Sequence, residues 1–224
     1  MDPDHEIRFP LREEQKGEEL FDMSEEKTSA LILAAGRSSR MEDFKPLLPL
    51  DGLTLIEQAI LLFKTAGVSD ILVVAGFQAG RLIPILEKCG VNWIVNEDYD
   101  QGMFSSIQTG VRRLAGSCEA FFVLPADHPF VQRTTVLSLL KAFRGGKEKI
   151  YHPSCQGRRG HPPLVPAALI PAILDFDEPG GLRVLLSRYE ELAVNLDCDD
   201  PGILIDLDTK EQYEQAKEKR TTSL

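Results

Sequence analysis

Cysteine is scarce and scattered: four in 224 residues, Cys89, Cys118, Cys155 and Cys198, with no CxxC pair. Zinc sites and disulfide frameworks need paired or regularly spaced cysteines, so this spacing argues against both. It fits a reducing compartment, here expected to be the cytoplasm. Long apolar runs are missing too. The longest mostly apolar stretch, Pro162 to Leu174, has 13 residues broken by four prolines, too short to span a bilayer. No basic-then-apolar leader opens the chain, so no secretory signal is expected. Cations are outnumbered, 25 Lys+Arg against 35 Asp+Glu, and the formal charge of -10 argues against nucleic acid as a partner. The 17 Gly and 14 Pro follow no three-residue period, which excludes collagen.

What is present suits a globular chain. The hydrophobic fraction of 43% and the charged fraction of 27% are near globular averages. A chain of this size can bury about 70% of its unfolded surface without staples. Residues 1–28 stand apart as an acidic N-terminal extension, with ten Asp+Glu against four Lys+Arg. They read as a solvated tail or short surface helix, through which a protein partner could dock.

From Ser29 onward, residues 29–224 read as one domain. Ala30 to Ala34 is a short apolar run bounded by Gly36, as in a strand buried on both faces. Leu55, Ile56, Ala59, Ile60 and Phe63 then make a helical stripe ended by Gly67. Strand signals recur at Ile71–Ala75, Val91–Val95 and Ala120–Leu124, and helical ones at Arg81–Cys89, Ser105–Leu114 and Thr134–Phe143. This alternation predicts an α/β fold with a mostly parallel sheet and helices on both faces. Beyond about residue 145 it degrades into an elaborated C-terminal third. There a Gly/Arg/Pro stretch at 157–166 precedes two short helices, strands at Ala193–Leu196 and Ile203–Ile205, and a terminal helix from Thr209.

Ligands of open parallel sheets bind outside the carboxyl ends of strands. The first such end reads Leu33-Ala34-Ala35-Gly36-Arg37-Ser38-Ser39-Arg40-Met41, continuing to Lys45-Pro46-Leu47-Leu48-Pro49. Its small residues let backbone approach a ligand, and Arg37, Arg40 and Lys45 can neutralise phosphate. The spacing is neither GxGxxG nor GxxxxGK[ST], so a dinucleotide site and a P-loop are both disfavoured. A plain solvated turn is the competing reading. Asp127 follows an apolar strand and is either a metal ligand or a turn residue capping the next helix. Asp206 and Asp208 are candidates for a second carboxylate. Asp208 with Glu211 also reads as a capping box, which leaves Asp206 preferred. Ser105 with Gln108 reads as a second such box.

Leu-Ala-Ala-Gly-x-Ser-x-Arg-Met followed by Lys-Pro-Leu-Leu-Pro resembles the signature loop of the molybdenum-cofactor nucleotidyltransferases, and more closely their molybdopterin cytidylyltransferase-like branch. Gly102-Met103-Phe104-Ser105-Ser106, Leu124-Pro125-Ala126-Asp127-His128-Pro129 and Gly157-Arg158-Arg159-Gly160-His161-Pro162 agree in order, so the resemblance covers residues 30 to about 215. It implies a Rossmann-like nucleotidyltransferase fold and transfer of a nucleoside monophosphate from an NTP to a small phosphorylated acceptor with Mg2+. Asp127 would hold the metal, together with Asp206. Arg40 and Lys45 would stabilise the departing phosphates. Leu33, Ala34, Ala35, Gly36, Arg37 and Ser38 would bound the nucleotide, with Gly102 and Ser106 beside it and His161 on the acceptor side. Ala-Ala-Gly resembles the cytidylyl branch, and the Ala35 methyl would crowd a purine, so CTP is expected over GTP. Rival readings are a sugar- or polyol-phosphate acceptor, and a nucleotide-binding module without turnover. Lys45→Ala and Asp127→Ala are expected to lower turnover while folding is kept. The sequence departs from the family pattern at Glu42, where glycine is usual. A carboxylate there repels a triphosphate unless it points outward.

Overall fold

The computed structural model describes residues 27–37, 41 and 43–221. The acidic extension before Lys27 therefore lies outside the described residues, as do Ser38, Arg40 and Glu42 of the first loop. Strand β1 (Thr28–Ala34) is buried along its whole length. Its alternate side chains enter different layers: Ala30, Ile32 and Ala34 join one core cluster, Leu31 and Leu33 the other. A strand covered on both faces needs apolar residues at every position, and this is why the run does not alternate.

After a small hairpin of β2 (Pro49–Leu50) and β3 (Leu53–Thr54) come α1 (Leu55–Thr65), β4 (Asp70–Ala75), α2 (Ala79–Cys89) and β5 (Asn92–Val95). The chain continues through α3 (Met103–Leu114), β6 (Ala120–Pro125) and α4 (Arg133–Arg144). Thr54 and Glu57 close a capping box that starts α1. Strands β4 and β6 both pair parallel with β1, and β5 extends the sheet beyond β4. Successive strands thus run away from β1 in one direction, and β6 returns to its other side. The crevice between β1 and β6 is the topological switch point where such sheets bind ligands.

The C-terminal third supplies β7 (Ile150–Cys155), β8 (Arg158–Arg159), β9 (Leu164–Pro166), α5 (Ile170–Asp175), α6 (Gly181–Ser187), β10 (Ala193–Asp197) and α7 (Lys210–Thr221). The main sheet reads β10-β7-β9-β6-β1-β4-β5, with β8 paired to β7. Sequence reading misses β7 because Ile-Tyr-His-Pro-Ser-Cys carries polar side chains, yet all six residues are buried between β10 and β9. Part of the Gly/Arg/Pro stretch is β9, antiparallel to both β6 and β7. Gln156 (φ 52°) and Gly157 (φ 75°) form the two-residue turn between β7 and β8, as tight hairpins require.

Three local expectations are corrected. Residues 203–205 are not a strand: Pro201–Leu204 is a 3-10 turn, started by the Asp200 side chain accepting from Gly202 N. Helix α3 begins at Met103 behind Gly102, not at a Ser105–Gln108 box. Gln108 instead donates to the carbonyls of Ile173, Leu174 and Phe176 at the end of α5. The α7 start is held by Thr209 and Gln212, which exchange side-chain and backbone bonds, and not by Asp208 and Glu211. Among the described residues no helix is long and apolar enough to cross a membrane, and all four cysteines are free.

Helix α3 lies close against β1 because Gly110 has no side chain. A Cβ there would sit 2.3 Å from Leu31 Cδ1, and Leu31 is fully buried with no room to yield. Gly110→Ala is expected to lower stability by about 1–3 kcal/mol, overpacking outweighing the helix-propensity gain of alanine. The reading is a lower urea midpoint at constant m value. An unchanged midpoint would contradict the close packing.

Candidate active site

At the carboxyl end of β1 the described main chain is already engaged in part. Leu33 O accepts from Ala126 N at 3.0 Å and Ala35 O from Phe77 N at 3.0 Å, joining this end to the ends of β6 and β4. Leu33, Ala34 and Ala35 are buried. A Cβ at Gly76 would lie 2.8 Å from the Ala35 Cβ, so the alanine methyl points into packed protein beneath the β4 loop. The methyl expected to crowd a purine is thus packed against Gly76. Gly36 differs from its neighbours: it is exposed, and a Cβ there would meet nothing within 4 Å.

Arg37 does not wait for phosphate. Its guanidinium grips Asp100 with both a 2.6 Å Nε–Oδ1 and a 2.7 Å Nη2–Oδ2 bond. It also lies 5.8 Å from the Phe77 ring centroid and 5.5 Å from that of Tyr99. The hydrogen bond and charge of Asp100 raise the Arg37 pKa, and the same bond lowers that of Asp100. Arg37 thus ties the first loop to the 3-10 turn Tyr99–Gln101.

Past the loop, Phe44 is buried edge-on against Phe77, with centroids 6.1 Å apart, and the 3-10 turn Lys45–Leu47 follows. That turn aims Lys45 inward. Its ammonium lies 2.7 Å from Asp208 Oδ1 and 3.3 Å from Asp127 Oδ2, with only 11% of the side chain exposed. Asp127 leaves the end of β6, and its backbone carbonyl accepts from Leu207 N at 3.0 Å, which brings the 206–208 segment alongside. Leu207 is buried. Asp208, set aside in the sequence as a helix cap, is thereby the carboxylate bonded to Lys45. Asp206 is half-buried two residues earlier. The Asp-Leu-Asp alternation was the signal available for this placement.

His128 Nδ1 lies 3.1 Å from Asp127 Oδ1. Burial would raise the Asp127 pKa, but the His128 bond and electrostatics, then those of Lys45, outweigh it and hold the carboxyl below its usual range. The His128 and His161 rings meet edge to face at 4.6 Å. Because β9 runs against β6 and β7, the chain that leads into it sits where those strands end, and this topology brings His161, three residues ahead of β9, against His128. His161 N donates to Ile203 O at 2.9 Å, and its Nδ1 lies 3.4 Å from Val123 O. A carbonyl can only accept, so Nδ1 carries the proton and Nε2 the lone pair. Burial, then the neighbouring His128, lowers the His161 pKa to about 4. His161 is neutral near pH 7 and offers an acceptor atom rather than a cation.

Gly102, at φ 98° and ψ 176°, is the exposed N-cap of α3, a conformation that favours glycine. Ser106, expected to contact the ligand, is placed within the protein. It is 3% exposed, and its Oγ accepts from Asn96 Nδ2 at 3.0 Å. Asn96, unremarkable in the sequence, also donates to Ser105 Oγ at 2.9 Å and accepts from Asp98 N at 3.0 Å, so it braces the β5–α3 turn. Arg159 is likewise occupied, by Glu190 at 2.9 Å and Asn195 at 2.6 Å. A cavity of about 670 Å3 opens among Thr28, Asp70, Asn92 and Arg113, at the opposite end of the sheet.

Asp127 and Asp208 present hard oxygen donors to one cationic position. Among the described residues no cluster of three or more His, Cys, Asp or Glu is poised for a metal. Two carboxylates suit Mg2+, which takes one or two protein carboxylates and completes its shell with phosphate oxygens and water.

The MobA-like NTP transferase domain matches residues 30–192. The chain belongs to this family. A nicotine blue oxidoreductase of Paenarthrobacter nicotinovorans is 31% identical over 191 residues, covering 82% of this chain and 93% of that protein. The molybdenum cofactor cytidylyltransferase of Escherichia coli strain K12 is 27% identical over 194 residues, 85% of this chain and 96% of that one. A solved nucleotidyl transferase from Methanothermobacter superposes with a TM-score of 0.76 at 23% identity, covering 88% of this chain and 99% of its own. The resemblance read from the four motifs and the α/β nucleotidyltransferase fold are thus borne out. The chain is a member of a nucleotidyltransferase family.

His152, in β7, gives an independent test of the buried polar wall behind the site. Burial, then the Arg159 charge, lowers its pKa to about 4, against an opposing effect of Glu190. A histidine held neutral contributes stability that is full above its unfolded pKa of about 6.5 and lost as pH falls toward the folded value. Stability is expected to drop between pH 6.5 and 4, and His152→Leu is expected to make that drop smaller, leaving the part due to His161. Urea midpoints across the range check this, and parallel wild-type and variant profiles would refute it.

Proposed function

We propose that this protein transfers CMP from CTP to a small phosphorylated acceptor, with release of pyrophosphate, and that a molybdopterin-type cofactor is the first acceptor to try. The observation that carries the reading is the Lys45 ammonium held by Asp127 and Asp208 at the switch point between β1 and β6. An acceptor phosphate oxygen would attack the α-phosphorus, a new P–O bond would form, and the α–β bridge would break with its electron pair leaving on pyrophosphate. Such transfers depend on positioning and charge neutralisation more than on covalent help from the protein.

Lys45 would follow the charge onto the leaving phosphates, beside Arg40, which lies outside the described residues. Asp127 and Asp208, with Asp206 two residues from the latter, would hold Mg2+, and the bound ion would supply charge neutralisation at the phosphates. The open side of Gly36 and the exposed Gly102 would flank the nucleotide. Neutral His161 would accept a hydrogen bond from the acceptor through Nε2, so it suits a hydroxyl or protonated phosphate better than a bare anion. Cytidine is preferred because the similar E. coli protein is a cytidylyltransferase, and free cysteines suit work in the cytoplasm.

Lys45→Ala and Asp127→Ala are expected to lower pyrophosphate release at least about a hundredfold, as loss of one preorganised charge does. Folding is not spared equally. Removing the cation from a buried ion pair costs up to about 3–5 kcal/mol, so Lys45→Ala is expected to melt earlier, and its rate is measured on folded protein. Near-wild-type turnover in either variant would end the assignment, and equal release from CTP and GTP would remove the cytidine preference. The 31% identical oxidoreductase favours a second reading, a member that handles a nucleotide or cofactor without transferring it. Nucleotide binding with no pyrophosphate from any of four NTPs and a panel of phosphorylated acceptors would select it.

A further inference from the structure

Three of the site's residues depend on where one segment lies. Between Asp200 and Asp208 the chain crosses the carboxyl end of β6. Ile203 O accepts the His161 amide at 2.9 Å, Leu207 N donates to Asp127 O at 3.0 Å, and Asp208 holds Lys45. Clearance is small at two points. A Cβ at Gly160 would come within 2.4 Å of Ile203 O, and one at Gly202 within 2.0 Å of Phe130 O. This strap therefore touches both the acceptor side of the site and its carboxylate side.

Asp200 begins the strap. Its side chain is 2% exposed and uses both oxygens. Oδ2 accepts from Gln132 N at 2.8 Å and Thr135 Oγ1 at 2.6 Å, and Oδ1 accepts from Gly202 N at 3.0 Å. None of these donors is charged. A buried carboxylate is costly unless its oxygens are satisfied, and here the compensation comes from the amide of Gln132, the N-cap of α4, from the Thr135 hydroxyl in its first turn, and from Gly202 N on the strap itself. That turn follows Asp127 and His128 after only a few residues. One carboxylate thus joins the chain leaving Asp127 to the chain leading to Asp208.

We propose that Asp200 is a positioning residue for the transfer site. It locks the strap to the start of α4, and so sets the separation of Asp127 and Asp208 and holds the Ile203 carbonyl on the His161 amide. The proposal rests on the reading of Asp127 and Asp208 as the metal carboxylates. Asp200→Asn keeps the volume but turns an NH2 group toward a donor, so one side of the clamp is lost. Thr135→Val removes one donor and leaves the carboxylate in place.

The test compares full-length wild type, Asp200→Asn, Thr135→Val and, as a stability control away from the strap, Ile60→Val. Hydrogen exchange is followed on the metal-free proteins, and Mn2+ binding in the presence of CTP is followed by calorimetry. Asp200→Asn is expected to speed exchange at the His161 and Leu207 amides about tenfold or more while leaving β1 amides unchanged. It is also expected to weaken Mn2+ binding about tenfold or more, the scale seen for residues behind metal ligands. Thr135→Val is expected to move both readouts in the same direction by less, and it carries the test if Asp200→Asn does not fold. Unchanged exchange at either amide, unchanged Mn2+ affinity, or equal effects in Ile60→Val would overturn the proposal. A wild type that binds no Mn2+ with CTP would instead sink the metal reading of Asp127 and Asp208. The exchange measurement would then still decide whether Asp200 holds the strap.

Discussion

An ammonium shared by two carboxylates is the constraint on which the rest of the site depends. Lys45 comes from the loop after β1, Asp127 from the end of β6, and Asp208 from the chain beyond β10. With so little of Lys45 exposed, its charge must be matched, and the two carboxylates match it. The same arrangement joins three distant parts of the chain at one point, so local folding errors in any of them reach the chemistry.

Around that point, many polar groups that look available in the sequence are committed to the protein itself. Arg37 is closed on Asp100, Arg159 on Glu190, and Ser106 on Asn96. Among the described residues, Arg37 and Arg159 thereby serve as braces within the protein.

How much of this was legible in the sequence follows from the range of each interaction. Strands β1, β4 and β6 and helices α1 to α4 were readable because their cores impose local apolar periods, and Asp127 stood out because it ends an apolar strand. Strand β7 was hidden, since His152 and Ser154 are buried by position in the sheet and not by hydrophobicity. Asp208 was misread because capping is a local pattern, whereas its partner Lys45 lies 163 positions away. The burial of the Ala35 methyl depends on Gly76, across the sheet, and no nearby residue announces it.

The reversed direction of β9 has one more consequence. Leu164 pairs with Phe122 and Val165 with Phe121, and side chains on a strand alternate faces. His161 lies in irregular chain three residues ahead of that strand, so its place beside His128 is set by the bond of its amide to Ile203 O and not by the phase of β9. An extra residue within β9 would therefore turn Leu164 and Val165 over between the two core layers, whereas one in 160–163 would act on the ring only through the hold of Ile203 on His161.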